Sequence, residues 1–333
     1  MKNIDQNFMA RILKLAKKVS LVIKPKAPFN FGATIFKPSY YPDPLSIYEA
    51  EKYWFAVRLG NKIYGLKMEN KGTVNRSKVK TTIFSKSKLS KDELRNIIEE
   101  LNFRFEFQRD ISEFFRRFKR DKVLLPFLKR WYGMHNTCAQ SLYGSLMIGV
   151  FLQNTVVRRS VQMTKAMLEK YGVGARFDNR EVYEFWKPEE MAKVPERDLR
   201  KLKVGYRAKI FIKLSQTFVK EKINENELRC LVVEEARKKL LKLYGVGPET
   251  ARILLTEALH HYEVFDHVAP WQQKIYSRLL FNKKLVPTDK IIKYVKEKWD
   301  KWAYLAVSYI WEDIFWQRKK GKKIPWLEKE IRL

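Results

Sequence analysis

The chain has 333 residues, a length that suits two or three domains better than one. Lysine and arginine outnumber the acidic residues 68 to 37, and the net charge of +31 favours a polyanionic partner, nucleic acid above all, unless it reflects a lysine-rich, thermophile-like proteome. Two cysteines, Cys138 and Cys230, cannot build a zinc or iron–sulfur site alone and indicate no disulfide framework, so an intracellular protein is expected.

The first 26 residues hold no apolar run long enough for a membrane span or a signal sequence. They read as a short basic amphipathic helix followed by a strand. From about residue 28 to 108 the chain reads as β-rich. TIFKPSYYP and YWFAVRL are aromatic and β-branched, and Gly60 with Asn61 separates YWFAVRL from KIYGLKM as a hairpin turn would. A further strand follows, then a helix opened by Ser90 or by Lys91 and Asp92. Beyond Asp110 the pattern is helical throughout, with candidate helices at 110–119, 121–131, 139–151, 155–171, 188–193, 196–202, 206–222, 233–243, 248–260, 267–280, 288–297 and 301–317. The basic tail RKKGKK, residues 318–323, reads as a solvated charge run.

One stretch stands apart. Residues 243–251 read LYGVGPETA, two glycines and a proline between two helical patterns. Gly245 and Gly247, flanking Val246, permit positive φ and a close backbone approach. Pro248 suits the first helical position, and the N–H groups that follow it have no intrahelical partner, so they suit a phosphate. An ordinary helix corner with a glycine cap remains the alternative. Asp266 lies 19 residues after Gly247, where the next helix should begin, and could be simply its N-cap.

Hairpin, helix and then an aspartate heading the next helix resemble the helix-hairpin-helix DNA glycosylases. The resemblance runs from about residue 28 to residue 316. LYGSLMIGVFLQNTVVRRSVQMTKAMLEKYG is similar to the family's helix pair that invades the DNA stack. LRKLKVGYRAKIFIKLSQTF is similar to the segment that reaches the unpaired base in the 8-oxoguanine branch. KWDKWAYLAVSYIWEDIF is similar to the closing helix of the alkylpurine and 8-oxoguanine branches. The endonuclease III branch ends in four iron-ligating cysteines, which this sequence lacks.

The resemblance implies an α+β fold: a mainly helical, two-lobed core carrying an N-terminal antiparallel β-sheet domain. The expected divisions are a β-rich domain over 1–108, a helical domain with the DNA-intercalating segment over 109–232, and the hairpin, catalytic aspartate and closing helix over 233–333. It also implies base flipping in damaged double-stranded DNA by a monomer located with the DNA, with no membrane, metal or cofactor. Asp266 becomes the catalytic residue, stabilising the positive charge that develops on the sugar. Gln153 and Asn154 fill the gap left by the flipped base, unless they merely cap the helix at 155–171. Tyr206 and Arg207 match a pair that contacts the orphan base. Strand-cutting members carry a nucleophilic lysine two residues after the GVG. Here that residue is Glu249, which cannot form an imine, so a monofunctional enzyme acting on a modified purine, alkylated first, is expected. Glu249, Trp271 and Tyr304 are the expected base-pocket residues. Trp271 and Tyr304 also fit a plain core, and Glu249 fits a plain helix start. The alternatives are a bifunctional 8-oxoguanine glycosylase/lyase and a non-catalytic helix-hairpin-helix DNA-binding protein.

Overall fold

The computed structural model describes residues 11–39, 44–322 and 324–330. Residues 1–10 of the expected N-terminal helix lie outside this range. From residue 11 the chain is extended instead, as β1 (Arg11–Lys14) and β2 (Lys17–Ile23). The β-branched run VSLVI fits a pleated surface better than a helix. Residues 34–39 of TIFKPSYYP do not form the expected strand. Its first two residues end α1 (Phe31–Ile35), which Asn30 caps by accepting from the Ala33 N–H at 3.1 Å. A short apolar run does not distinguish strand from helix, and the cap decides it here.

Four more strands, β3 (Ser46–Glu49), β4 (Lys52–Leu59), β5 (Lys62–Asn70) and β6 (Val79–Ser85), complete an antiparallel sheet ordered β2-β6-β5-β4-β3. β4 and β5 form the expected hairpin, with Leu59 opposite Lys62 and Gly60 at φ +57°. α2 (Lys91–Arg104) opens with a capping box between Ser90 and Glu93. Ile97 and Leu101 of α2 pack on Phe55, Leu66 and Ile83 of the sheet.

After α3 (Ser112–Phe118), α4 (Leu125–Arg130), α5 (Leu142–Leu152) and α6 (Val157–Tyr171), the expected run of helices is interrupted. β7 (Val173–Phe177) and β8 (Arg180–Glu184) form a hairpin whose turn residues, Asp178 and Asn179, have φ of +50° and +56°. That is the backbone a two-residue turn needs, and aspartate and asparagine tolerate it. β7 also pairs in parallel with β1, Arg11 opposite Val173, giving a second sheet ordered β1-β7-β8. Trp54, Phe84, Ala175, Phe177 and Val182 form the core between the two sheets. The Phe177 ring lies where a Cβ on Gly65 would meet it at 2.4 Å, so this approach requires glycine.

α7 (Pro188–Met191), α8 (Glu196–Lys201), α9 (Arg207–Lys220), α10 (Glu225–Cys230), α11 (Val233–Leu241) and α12 (Pro248–Ile253) follow. With α5 and α6 they enclose one core containing Leu142, Phe151, Trp186, Phe211, Leu240 and Leu255. α13 (Pro270–Phe281), α14 (Thr288–Trp299) and α15 (Ala303–Lys319) pack with α3 and α4 on a second core containing Phe114, Leu128, Tyr276, Trp299 and Tyr309. α16 (Pro325–Glu328) adds Leu327 beside Ile275 and Ile314. Each large side chain so buried contributes about 1.5–3 kcal/mol of transfer free energy. The helices therefore group by space into two lobes, and α3 and α4 belong with helices more than a hundred residues later. α1, α10 and α16 were not anticipated from the sequence.

The segment after α2 carries a buried polar hub. Glu106, at φ +51°, accepts from the Tyr262 hydroxyl and from Arg109 Nη1 at 2.8 Å. The Nδ1 atoms of His135 and His260 each lie 3.8 Å from its oxygens. Burial alone would raise the pKa of Glu106, but His135, His260 and Arg109 bring it down to about 2.

Candidate active site

α11, the turn at 242–247 and α12 form the expected helix-hairpin-helix. Gly245 has φ +78° and lies against α9, where a Cβ would meet Ile210 at 3.3 Å. Gly247 is different: its φ of −90° and ψ of 178° are open to any residue, and nothing surrounds its Cβ position. What glycine provides there is a bare backbone at the surface. Val246 is the turn's anchor, 8% exposed and part of the first core. The Tyr244 N–H donates to Thr217 Oγ1 at 3.0 Å, tying the turn to α9.

Asp266 does not cap a helix. α13 starts four residues later, at Pro270, after Ala269 as N-cap. Asp266 instead pairs with Arg237 of α11, Nη2 to Oδ2 at 2.6 Å, with a side chain 36% exposed. The first helix of the hairpin thus orients the candidate catalytic carboxylate. Glu249, in the first turn of α12, receives two hydrogen bonds from Arg252, at 2.7 and 2.9 Å. His267 Nε2 lies 3.5 Å from its Oε2. Partial burial opposes the Glu249 charge and so does Asp266, but Arg252 and His267 overcome both and its pKa is lowered. Glu249 is therefore an ionised, compensated carboxylate beside Asp266. Tyr304 joins this neighbourhood: its hydroxyl donates to Glu257 at 3.0 Å, and its ring lies parallel to Tyr262 at 6.3 Å. Trp271, 40% exposed on the first turn of α13, packs edge-on against Trp311 at 5.4 Å.

A second constellation joins the end of α5 to the start of α9. Gln153 is the C-cap of α5, and Asn154 has φ +46°. α6 starts after Val156 without a side-chain cap, so neither residue caps that helix. Arg207 is buried. Its Nε donates to the Val150 carbonyl at 3.2 Å, its Nη2 donates to the Gln153 carbonyl, and its guanidinium lies 4.7 Å from the Tyr206 ring centroid. The Tyr206 hydroxyl donates to the Gln153 carbonyl and accepts from Asn154 Nδ2, both at 3.4 Å. Leu152, Val156 and Tyr206 are exposed around this turn. Two surface recesses, one beside Trp54 and Asp178 and one beside Arg104 and Glu184, contain no residue of either constellation. Among the described residues, no three His, Cys, Asp or Glu side chains are grouped to hold a metal, and no helix is long and apolar enough to cross a membrane.

No protein-family model matches the chain. It is 23% identical over 223 residues to a DNA-3-methyladenine glycosylase of Bacillus subtilis, covering 66% of this chain and 72% of that one. The solved 3-methyladenine DNA glycosylase of Archaeoglobus fulgidus superposes with a TM-score of 0.70 at 19% identity, covering 89% of this chain and 99% of that one. The Clostridium acetobutylicum 8-oxoguanine glycosylase/lyase, solved with duplex DNA bearing cytosine opposite 8-oxoguanine, superposes with a TM-score of 0.68 at 17% identity, covering 93% and 100%. The chain has the fold of the helix-hairpin-helix DNA glycosylases.

Within the helix-hairpin-helix glycosylase frame, three charged residues extend the set read from the sequence. Arg252 was legible, because Glu249 and Arg252 at i and i+3 share a helix face. Arg237 meets Asp266 only through the tertiary fold, and no local spacing signals it. Glu257 sits in a departure from α-helical geometry that the periodic pattern did not reveal.

Proposed function

We propose that this chain is a monofunctional DNA glycosylase that flips a damaged purine from duplex DNA and hydrolyses its N-glycosidic bond. The observation that carries the reading is that Asp266, held by Arg237, lies near a compensated carboxylate, Glu249, at the position where strand-cutting relatives keep a lysine. In the reaction the bond from C1′ to the base nitrogen breaks, and the base leaves with the electron pair. Asp266 stabilises the cationic sugar, a water oxygen bonds to C1′, and the water proton passes to Asp266 or to solvent. A carboxylate at 249 offers no amine, so no imine forms and the strand stays intact.

The hairpin backbone at Gly245, Val246 and Gly247 takes a phosphate, and the turn bearing Gln153 and Asn154, flanked by exposed Leu152 and Val156, enters the stack. Glu249, Trp271 and Tyr304 border the pocket of the flipped base, and the +31 charge holds the duplex. The chain acts as a monomer inside the cell and requires no cofactor. Alkylpurines come first among lesions because relatives matched in sequence and in structure are named for 3-methyladenine. The test uses duplexes with single lesions, read with and without alkali. Breakage only after alkali supports the proposal. Breakage without alkali, or borohydride trapping of a covalent complex, identifies a lyase. Binding without base release identifies a non-catalytic module.

A further inference from the structure

Given the glycosylase reading, the geometry points to Glu257 as the group that selects the flipped base, accepting hydrogen bonds from amino-bearing or positively charged purines. Glu249 is poorly placed for that task because both its oxygens are held by Arg252. Two turns further along, α12 gives way to a π turn, Leu254–Ala258, in which the Leu259 N–H bonds back five residues to the Leu254 carbonyl at 3.0 Å. Such turns are rare, and occur most often where a helix serves a ligand.

Glu257 lies in this turn. Its Oε1 accepts from the Tyr304 hydroxyl at 3.0 Å, and its side chain is open to solvent. It is nonetheless surrounded closely enough that desolvation raises its pKa, against the pull of Tyr304, Arg252 and Lys37. Its helix neighbours Thr256 and Ala258 are buried, as is Tyr262 beneath Tyr304, so Glu257 is an accessible carboxylate held between core residues. Two cations, Lys37 and Arg252, face three carboxylates, Glu249, Glu257 and Glu312. The Glu312 Oε2 atom is buried without a hydrogen-bond partner. A carboxylate at this position favours a positive or N–H-bearing group over another acceptor. An ionised carboxylate only accepts, and the Tyr304 proton is already directed at it, so a base edge made of acceptors meets no donor there. N-methylated purines carry both a delocalised positive charge and an amino group; 8-oxoguanine carries the amino group without the charge, and hypoxanthine offers only its N1–H.

The test compares wild type, Glu257→Gln and Tyr304→Phe. Release of 7-methylguanine and 3-methyladenine from methylated duplex DNA is measured against release of hypoxanthine and 8-oxoguanine from single-lesion duplexes. Melting temperature and affinity for undamaged duplex serve as controls for folding. Glu257→Gln is expected to lower the rate on the methylated purines about tenfold or more relative to its effect on hypoxanthine. Tyr304→Phe should move the same ratio in the same direction by a few-fold. An unchanged ranking in Glu257→Gln, or an equal loss on every base, overturns the assignment while the glycosylase reading stands. A wild type that releases none of these bases overturns both.

Discussion

Glu106 and Glu257 are both carboxylates set among protein groups, and they are held in opposite ways. Glu106 has a phenol, a guanidinium and two imidazoles around it, and its pKa falls to about 2. Glu257 accepts from a phenol and keeps an exposed side chain, and its pKa rises. A buried carboxylate saturated with donors fastens elements together. One left with spare acceptor capacity is free to meet a ligand. Asp266 is of the second kind, half open and oriented by Arg237.

The sharpest break in this contrast is expected at Asp266. Asp266→Asn should lower single-turnover base release by about 10³-fold, with duplex affinity and melting temperature nearly unchanged. Near-normal rates would remove Asp266 from the reaction.

Glu106→Gln should do the reverse. It should cost about 3 kcal/mol of stability, seen in denaturant melts, while the rate per folded molecule is retained. The same group gives a pH signature. Its folded pKa lies below its unfolded value of about 4.5, so its contribution is complete above about pH 5 and is lost as pH falls toward 2. Glu184, Glu257 and Glu312 have raised pKa values and act with the opposite sign, costing stability once ionised and relieving it on acidification. Acid melts of wild type against Glu106→Gln isolate the hub's share.

Arg237→Met should lower turnover by about tenfold without weakening DNA binding, because it unfastens Asp266 and touches nothing else in the proposed pocket. Equal losses in binding and turnover would show that Arg237 serves the duplex instead.

The smallest effect is expected at Arg207. With its Nε and Nη2 spent on the carbonyls of Val150 and Gln153, its work is to hold the turn that bears Gln153 and Asn154. Arg207→Lys should slow excision a few-fold by the same factor opposite any base, since lysine lacks the fork that spans both carbonyls. A loss confined to lesions opposite cytosine would show instead that Arg207 reads the orphan base.

Much of this was legible in the sequence, for a physical reason. Long amphipathic helices such as α6 and α9 announce themselves by period, and the hairpin by its glycines. The β7–β8 hairpin was missed because five-residue strands between helices leave too little alternation, although Asp178 and Asn179 are turn residues. α1 was misread because an apolar run of that length fits either state. At the site, Asp266 was singled out by the resemblance to helix-hairpin-helix glycosylases, whereas its spacing alone also fitted a helix cap. Its partner Arg237 and the exposed carboxylate of Glu257 arise from tertiary packing and a π turn, neither of which leaves a periodic trace.

The parallel pairing of β1 with β7 bears on how the chain is made. Arg11 meets Val173, a partner 162 positions further along the chain. At ordinary ribosomal speeds that is about 10–30 s of synthesis. For that interval β1 has an unpaired edge, and closure of so long a loop is a slow, entropically costly event. Arg11 and Lys14 stand on β1 with their side chains exposed, and such charges discourage an open strand from pairing with a neighbouring nascent chain. Part of the chain's basic character thus guards the growing polypeptide here.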